Sequence, residues 1–317
     1  MRLIALIFCG FMAGAALAQD YPVKPIRFIV PYAPGGGTDI VARTLGQALT
    51  DRLGRSVVID NRPGAGGTLG TALAAAAPPD GYTMVLSGTS MIFAAFLYKD
   101  LPYDTLRDLA PVSMVASQPN LLVVHPSLPV SSVKDLITLA KAKPDSISYA
   151  SGGSGAANHL ATEYFNILAG IRMVHVPYKG TGPAVTDLLS GQVQLTISVI
   201  ASTLPHVQSG KLKALGVTGR KRSPAAPNVP TVEEAGLKGY EFITWYGIQL
   251  PAKTLAAIVN RLGAEVAKAV EDPKVKERYA ASGLDAQASS PDEFRALIRS
   301  EMAKWGKVIK AANITVQ

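Results

Sequence analysis

The feature that most constrains the fold is a short apolar run that ends in a glycine cluster near the start of the chain. Residues 26–30 are almost wholly apolar, and Pro31-Tyr32-Ala33-Pro34-Gly35-Gly36-Gly37-Thr38-Asp39 follows them. Apolar residues then recur at helical spacing, with a glycine past the end of the pattern: Val41, Leu45, Ala48, Leu49, Leu53 and Gly54. This pattern predicts a strand, a tight loop and a helix.

The glycine loop has two uses that both stay open at this point. Glycine permits positive φ and close approach of a ligand to the backbone, and the unpaired amides at a helix start attract anions. The loop could equally be a turn that only connects a strand to a helix. It is not a dinucleotide fingerprint, because Ile40 stands where the third glycine would be, and no Gly-Lys-Ser/Thr phosphate loop follows.

The same unit recurs later in the chain. Residues 146–150 predict a strand, residues 151–158 are rich in glycine and serine, and a helix is predicted from His159 to Leu168. Strands and helices alternate elsewhere, and an extended segment is predicted to cross between domains at residues 242–251. We therefore expect an α/β fold with two similar domains, each a mainly parallel sheet flanked by helices, with ligands at the carboxyl ends of the strands.

The first 18 residues predict a cleavable export signal. Arg2 precedes an apolar stretch that is too short for a stable membrane span, and Ala16-Leu17-Ala18 is a small-x-small cleavage site. Cys9, the one cysteine of the chain, lies in this segment. The exported chain is therefore expected to carry out no disulfide or thiolate chemistry.

Charge and histidine placement narrow the possible partners. The chain has 31 Lys and Arg against 23 Asp and Glu, a net charge of +8. No basic run exceeds Arg220-Lys221-Arg222, so nucleic acid is not expected as a partner, whereas small anions are. The four histidines are scattered without metal-ligand spacing, so neither a metal nor another cofactor is expected.

One stretch admits an enzymatic interpretation. Gly152-Gly153-Ser154-Gly155-Ala156 is one residue away from the Gly-x-Ser-x-Gly nucleophile elbow. Ser154 could be a nucleophile, with His159, His175 or His206 as base and Asp187 as its orienting partner. The same residues are also explained as a helix start with exposed amides and no chemistry. An exported serine hydrolase is therefore the alternative function.

Other polar residues also leave two interpretations open. Asp39 could bind a cation or cap the first helix. Ser87 and Thr89, at a strand end, could contact a ligand or cap a helix. Lys179 is an anion partner or a solvated surface lysine, and the aromatic pair 245–246 could stack on a ligand or pack as a plug between domains.

A set of short motifs then runs in a fixed order along nearly the whole exported chain. It comprises residues 29–39, Asn61-Arg62-Pro63-Gly64-Ala65-Gly66-Gly67, Pro79-Asp80-Gly81-Tyr82-Thr83, Tyr149-Ala150-Ser151-Gly152-Gly153, His159-Leu160-Ala161, Val176-Pro177-Tyr178-Lys179-Gly180, Leu204-Pro205-His206, Val229-Pro230-Thr231 and Trp245-Tyr246-Gly247. Together these motifs resemble the receptor family of the tripartite tricarboxylate transporters, also called Bug-type periplasmic binding proteins.

The resemblance implies a two-domain periplasmic binding protein of type II, a flytrap that clamps its ligand between domains. Residues 1–18 would be the signal peptide, 19–121 plus 246–317 the first domain, and 122–245 the second. The implied function is a periplasmic receptor, not an enzyme, that captures a di- or tricarboxylate or an aromatic carboxylate. It would act as a monomer and deliver the ligand to membrane permease subunits or to a sensor.

The resemblance also places the ligand on backbone amides and bridging waters of two facing loops. With the candidates above, the predicted ligand-binding set is Tyr32, Ala33, Gly36, Gly37, Thr38, Asp39, Ser87, Thr89, Gly152, Ser154, Gly155, Asn158, Tyr178, Lys179, Gly180, Thr181 and Ser198. Ser198 stands where many relatives carry Asp or Asn. An ammonium group would lack a partner there, so a plain organic acid is expected rather than an amino acid.

Overall fold

A computed structural model of the chain describes residues 21–178, 180–311 and 314. The predicted export signal and Lys179 lie outside the described residues.

The first lobe begins with the predicted strand, loop and helix, which are confirmed as β1 (Ile26–Val30) and α1 (Gly37–Leu53). It continues through β2 (Val57–Asn61), α2 (Thr68–Ala75), β3 (Thr83–Gly88) and α3 (Thr89–Leu97). β1 pairs in parallel with both β2 and β3. Phe28 and Ile29 point to opposite faces of β1, and both are fully buried, as expected for a parallel strand covered on two sides.

The second lobe repeats this arrangement. It contains α4 (Val133–Ala142), β5 (Ser148–Ser151), α5 (Ala157–Ala169), β6 (Val174–Pro177), α6 (Thr181–Leu189), β7 (Leu195–Val199), α7 (Ile200–Gln208) and β8 (Lys213–Val217). β5 pairs in parallel with β6 and with β7. The predicted second copy of the strand, loop and helix unit is therefore present.

Two strands, β4 (Leu109–Val124) and β9 (Ile243–Pro251), join the lobes and are called the crossing strands below. The first part of β4 pairs antiparallel with β9, as far as Pro119 opposite Ile243. From Asn120 onward β4 pairs instead with β7, and with β8 from Leu121. The predicted extended segment at 242–251 corresponds to β9. The domain bounds at 121 and 245 stay predictions.

The last part of the chain returns to the first lobe. It forms α8 (Ala256–Glu271), α9 (Pro273–Ala281), β10 (Asp285–Ala286) and α10 (Pro291–Ala311). Leu262 and Val266 of α8 share one apolar core with Val41 and Leu45 of α1. These two helices therefore pack against each other, and the assignment of residues 246–317 to the first domain stays a prediction.

The sheet order, β2-β1-β3-β9-β4-β7-β5-β6, determines where the two lobes meet. The outer strand pairs are parallel, as predicted, but the central ones are antiparallel, which the sequence pattern does not predict. β1 and β3 run in the same direction as β4, toward the second lobe, whereas β5, β6 and β7 run against it. The carboxyl ends of the two parallel sets therefore face each other, with the crossing strands between them.

The described residues lack two features. They contain no helix with the length and apolar character needed to cross a lipid bilayer. They also contain no group of three or more His, Cys, Asp or Glu side chains arranged to hold a metal ion.

Candidate functional site

The first loop, residues 34–38, presents free amide donors at the start of α1. Gly36 is the N-cap residue, and no side chain caps the helix. The N–H groups of Gly37 and Thr38 have no hydrogen-bond partner among the described residues. Unpaired amides at the positive end of a helix dipole form a site for an anion such as a carboxylate.

Asp39 anchors this loop from beneath. Its carboxylate is 4% exposed and accepts hydrogen bonds from Gly35 N at 3.0 Å, Arg43 Nε at 2.8 Å and Asn61 Nδ2 at 3.0 Å. Burial alone would raise the pKa of Asp39, but these hydrogen bonds outweigh burial and hold the pKa below its usual value. Asp39 therefore positions the loop. The alternative that it caps the first helix is wrong, because Gly35 precedes that helix and no side chain caps it.

A second glycine turn supports the first loop from the side. Tyr32 Oη donates to Gly66 O at 3.0 Å, and Asn61 Nδ2 donates to Tyr32 O at 3.0 Å. A Cβ on Gly67, whose φ is +98°, would lie 2.9 Å from Tyr32 Oη. Glycine is required there because the tyrosine ring lies directly against the turn.

Polar side chains on the crossing strands lie under the same loop. Gln118 Nε2 donates to Tyr246 Oη at 2.7 Å, and a Cβ on Gly37 would lie 3.5 Å from both atoms. Gln118 Oε1 and the Nδ2 of nearby Asn120 are buried without a partner among the described residues. Sequence reasoning missed these two side chains, although polar residues just before a buried apolar run are a visible signal.

In the second loop, residues 152–156, several backbone N–H groups already donate hydrogen bonds to nearby side chains. Gly152 N donates to Asn158 Oδ1 and Gly155 N donates to His159 Nδ1, each at 3.1 Å. The N–H groups of Ser154 and Ala157 have no partner among the described residues. The free donors of this loop are therefore Ser154 and the first turn of α5, whereas the predicted donors Gly152 and Gly155 keep the loop in shape.

A second helix start lies next to this loop. Gly180 N donates to Gly152 O at 3.1 Å, and a Cβ on Gly152 would lie 3.3 Å from Thr181 N. Neither α5 nor α6 has a side-chain cap. Two uncapped helix starts therefore converge on the second lobe, at an edge that faces the first loop.

A stack of rings supports the second loop from below. The rings of His159 and His175 are parallel to within 6° with their centres 3.9 Å apart, and Tyr149 stacks on His175 at 4.9 Å. His175 Nε2 lies 2.6 Å from Ser151 Oγ. Burial lowers the pKa of His159 to about 3, with a smaller contribution from His175, and lowers the pKa of His175 to about 4. Both imidazoles are therefore neutral at neutral pH.

The residues of the serine hydrolase alternative do not form a triad. The Ser154 side chain makes no hydrogen bond within the described part of the chain, and His159 and His175 are bonded to Gly155 and Ser151 instead. Asp187 accepts from Tyr178 Oη at 2.8 Å, and burial together with Asp187 raises the pKa of Tyr178 to about 12.

The remaining predicted site residues lie along the same strand edges. Ser87 Oγ donates to Gly247 O at 3.0 Å, and Thr89 Oγ1 accepts from Trp245 N at 3.1 Å. The alternative that these residues cap a helix is wrong, since both hydroxyls hold β3 and the start of α3 against β9. Ser198, at the end of β7, is buried, and its Oγ lies 3.4 Å from Ser202 Oγ. Ala33 is exposed at the first loop.

Comparison with known proteins points to one family. The family described as tripartite tricarboxylate transporter family receptor matches residues 41–314. The protein BugT of Bordetella pertussis is 39% identical over 316 residues, which cover 98% of this chain and 97% of BugT.

Solved structures agree with this match. Rpa4515 of R. palustris, solved with adipate, superposes with a TM-score of 0.88 at 35% identity, over 94% of this chain and all of that one. MatC (Rpa3494) from Rhodopseudomonas palustris, solved with bound malate, gives a TM-score of 0.85 at 31% identity, over 91% of this chain and all of that one.

Proposed function

The chain belongs to the tripartite tricarboxylate transporter receptor family, and from this premise we propose that it is a periplasmic receptor for a small organic dicarboxylate. In this proposal the ligand lies between the lobes, with one carboxylate on the first loop and the other on the second. The receptor then presents the ligand to the permease subunits of a tripartite transporter.

The observation that carries the proposal is the pair of opposed helix starts. Gly37 and Thr38 supply free N–H groups on one lobe, and Ser154 and Ala157 supply them on the other. Each set sits at the positive end of a helix dipole, where a carboxylate is stabilised. Bound adipate and malate, in the two solved relatives, have two carboxylates each, which agrees with a site built from two anion-binding ends.

The same site disfavours amino acids. An α-ammonium group needs an anionic or strongly accepting partner, and Asp39 is the one carboxylate in the predicted ligand-binding set. Arg43 and Asn61 already occupy that carboxylate. The end of β7 carries Ser198, a neutral side chain, so a plain dicarboxylic acid fits the site better than aspartate or glutamate.

A receptor is favoured over the serine hydrolase because the histidines near Ser154 form hydrogen bonds with other groups. A nucleophilic serine needs a base within hydrogen-bond reach, and a base needs an orienting partner. His159 accepts from a backbone amide and Asp187 accepts from Tyr178. These residues therefore support the shape of the loop, and we propose that the protein does not alter its ligand.

The test removes one amide at a time while leaving each helix intact. Gly37 and Ala157 are the first residues of α1 and α5, where proline fits a helix but lacks the N–H. The preceding residues, Gly36 and Ala156, are extended, as a residue before proline must be. Calorimetric titration with adipate and malate should show affinity about 10- to 100-fold lower in Gly37→Pro and in Ala157→Pro.

Gly37→Ala is the matched control, because it adds the Cβ that proline also has but keeps the N–H. Its added Cβ meets Gln118 and Tyr246 at an ordinary 3.5 Å, so its affinity should stay close to that of the parent protein. Unchanged affinity in either proline variant would contradict a ligand held by both loops. Turnover of an ester substrate that disappears in Ser154→Ala would favour the hydrolase instead.

A further inference from the structure

The two lobes share one apolar core. Ile92 of α3, in the first lobe, and Leu160 of α5, in the second, belong to the same continuous cluster of buried side chains. Of the other two cores in the described residues, one surrounds Val41 of α1 and the other surrounds Leu188 of α6. The lobes are therefore held together by packed side chains as well as by the crossing strands.

Within the shared core, Trp305 of α10 lies where aromatic rings of both lobes meet. Phe93 of α3 packs edge-on against Trp305, with ring centres 5.0 Å apart. Tyr164 of α5 and Phe242, which precedes β9, pack edge-on against the same indole at 5.4 and 5.3 Å. Edge-on aromatic pairs at these distances stabilise a structure beyond the area they bury. Phe93, Tyr164, Tyr240, Phe242 and Trp305 are called the ring cluster below.

The first lobe holds its part of the ring cluster in place. A Cβ on Gly306, next to Trp305, would lie 2.8 Å from Phe96 Cε1, so α10 and α3 are in close contact. Trp305 is 1% exposed, and its Nε1–H donates to Glu301 Oε2 at 2.9 Å. The indole therefore has a fixed position on the first lobe.

The second lobe holds the rings that face this indole. Tyr240 stacks on Tyr164 with ring centres 5.4 Å apart, and Tyr240 Oη donates to Ala161 O of α5 at 2.9 Å. Phe242 N donates to Thr218 O, just after β8, at 2.9 Å. These rings therefore move with the second lobe, and their contact with Trp305 depends on the angle between the lobes.

The ring cluster lies outside the proposed carboxylate site, because none of its five residues belongs to the predicted ligand-binding set. Lobes of one chain rotate against each other unless a packed apolar interface holds them. A ligand held at both ends binds only at the angle that brings both loops to it. The apparent affinity therefore falls with the fraction of molecules that have this angle.

We propose that the ring cluster is a positioning device for the carboxylate site. It fixes the angle between the lobes at which both loops reach one ligand, with Tyr164 and Trp305 as the positioning residues. The inference rests on the function proposed above, because it takes the ligand to be held by both loops at once.

Three variants separate positioning from a general loss of packing. Tyr164→Ala removes a half-buried ring of the second lobe from the cluster, whereas Tyr164→Phe keeps the ring and removes only the hydroxyl. Tyr82→Ala is the matched control, since this half-buried tyrosine packs edge-on against Tyr21 at 5.2 Å within the first lobe. A thermal melt establishes that each variant is folded.

The angle between the lobes is measured without ligand. The chain after the predicted export signal contains no cysteine, so spin labels can be attached at Gln47→Cys of α1 and Gln208→Cys of α7. Both glutamines are exposed. Pulsed electron paramagnetic resonance should give a label distance distribution at least about twice as wide in Tyr164→Ala as in the parent protein. Tyr164→Phe and Tyr82→Ala should match the parent protein.

Calorimetric titration with adipate and malate measures the effect on binding. A fall of the competent fraction to about a tenth predicts about tenfold weaker binding in Tyr164→Ala, with parent affinity in Tyr164→Phe and Tyr82→Ala. The proposal is overturned if folded Tyr164→Ala keeps the parent distance distribution or the parent affinity, or if Tyr82→Ala weakens binding equally. A parent protein that binds neither acid would instead contradict the proposed function, and the label distances would still decide whether the ring cluster fixes the angle.

Discussion

Both loops present free backbone N–H donors, but the side chains that support the loops differ in charge. The first loop is anchored by charge, through the buried carboxylate of Asp39 and its bonds to Arg43, Asn61 and Gly35. The second loop is anchored by neutral rings, through the stacked imidazoles of His159 and His175. Free amides at a helix start thus need a rigid support beneath them, and this chain supplies that support in two ways.

The difference has a physical consequence for each lobe. Each of the three hydrogen-bond donors stabilises the buried carboxylate. Removal of the carboxylate should lower the stability of the protein strongly, because its donors are then left unpaired. A pair of stacked neutral imidazoles tolerates burial only while both stay unprotonated. The first support should therefore be sensitive to mutation of the carboxylate, and the second to acid.

Removal of the Asp39 carboxylate should have the largest effect. Asp39→Ala leaves Gly35 N–H and the Asn61 amide without their acceptor and should lower the free energy of unfolding by about 3 kcal/mol. Chemical denaturation measures this change. Asp51→Ala, on the exposed side of the same helix, is the matched control and should change stability by no more than about 0.5 kcal/mol. Equal effects in the two variants would mean that Asp39 does not anchor the loop.

Acid should act on the second lobe first. The pKa of His159 is about 3 when folded, against about 6.5 when unfolded, so between these values the unfolded chain binds a proton that the folded chain excludes. Stability is therefore complete above about pH 6.5 and falls as the pH drops. His159 should account for a loss of about 2 kcal/mol between about pH 7 and about pH 5.

The pH experiment also separates the two supports. The pKa of Asp39 is lowered on folding, so its contribution is lost only as the pH falls below the ordinary carboxyl range of about 4. Denaturation curves of the parent protein and of His159→Phe are recorded at about pH 7 and at about pH 5. The free energy of unfolding should fall more between these pH values in the parent protein than in His159→Phe. A parent protein with the same free energy of unfolding at both would contradict a buried neutral histidine stack.

Replacement of the ring nitrogen at neutral pH should have a smaller effect. His159→Phe keeps a flat ring on His175 but leaves Gly155 N–H without an acceptor, which should cost about 1 kcal/mol of stability. His206→Phe, at the end of α7, removes a histidine outside the stack and serves as the control. Equal losses would show that the Gly155 hydrogen bond does not support the loop.

The strand, loop and helix units were predictable from the sequence because their signals are local. The apolar run at 26–30, the glycines at 35–37 and the helical spacing after them all lie within one short stretch. The position of the loops at the carboxyl ends of parallel strands then follows from general rules of α/β folds. The Asp39–Arg43 pair also has a local signal, since residues four apart on a helix are neighbours.

The crossing strand β4 was not predictable in the same way. Pro111 and Pro119 interrupt its apolar pattern, and Pro111 lies at a change of register where a strand tolerates proline. Its partner β9 is more than a hundred residues away in the chain, so no local pattern shows that the two pair. Gln118 and Asn120 were missed as a result, because their place under the first loop depends on that pairing.

The histidine stack depends on tertiary pairing too. Tyr149 and His175 are brought side by side by the register of β5 and β6, and His159 reaches them from α5. From the sequence these histidines were candidate catalytic bases, since their spacing along the chain says nothing about ring stacking. Their support of the second loop became visible only with the strand register.

The smallest predicted effect concerns Arg43, the other half of the charged support. Its side chain is 52% exposed, so water already screens its interaction with Asp39. Arg43→Gln should lower the free energy of unfolding far less than Asp39→Ala does, and a rise in NaCl from about 0.1 M to about 1 M should shrink the difference. Asp39 keeps its bonds from Gly35 and Asn61 in this variant. A loss as large as that of Asp39→Ala would mean that the ion pair, rather than the two neutral donors, holds the first loop in place.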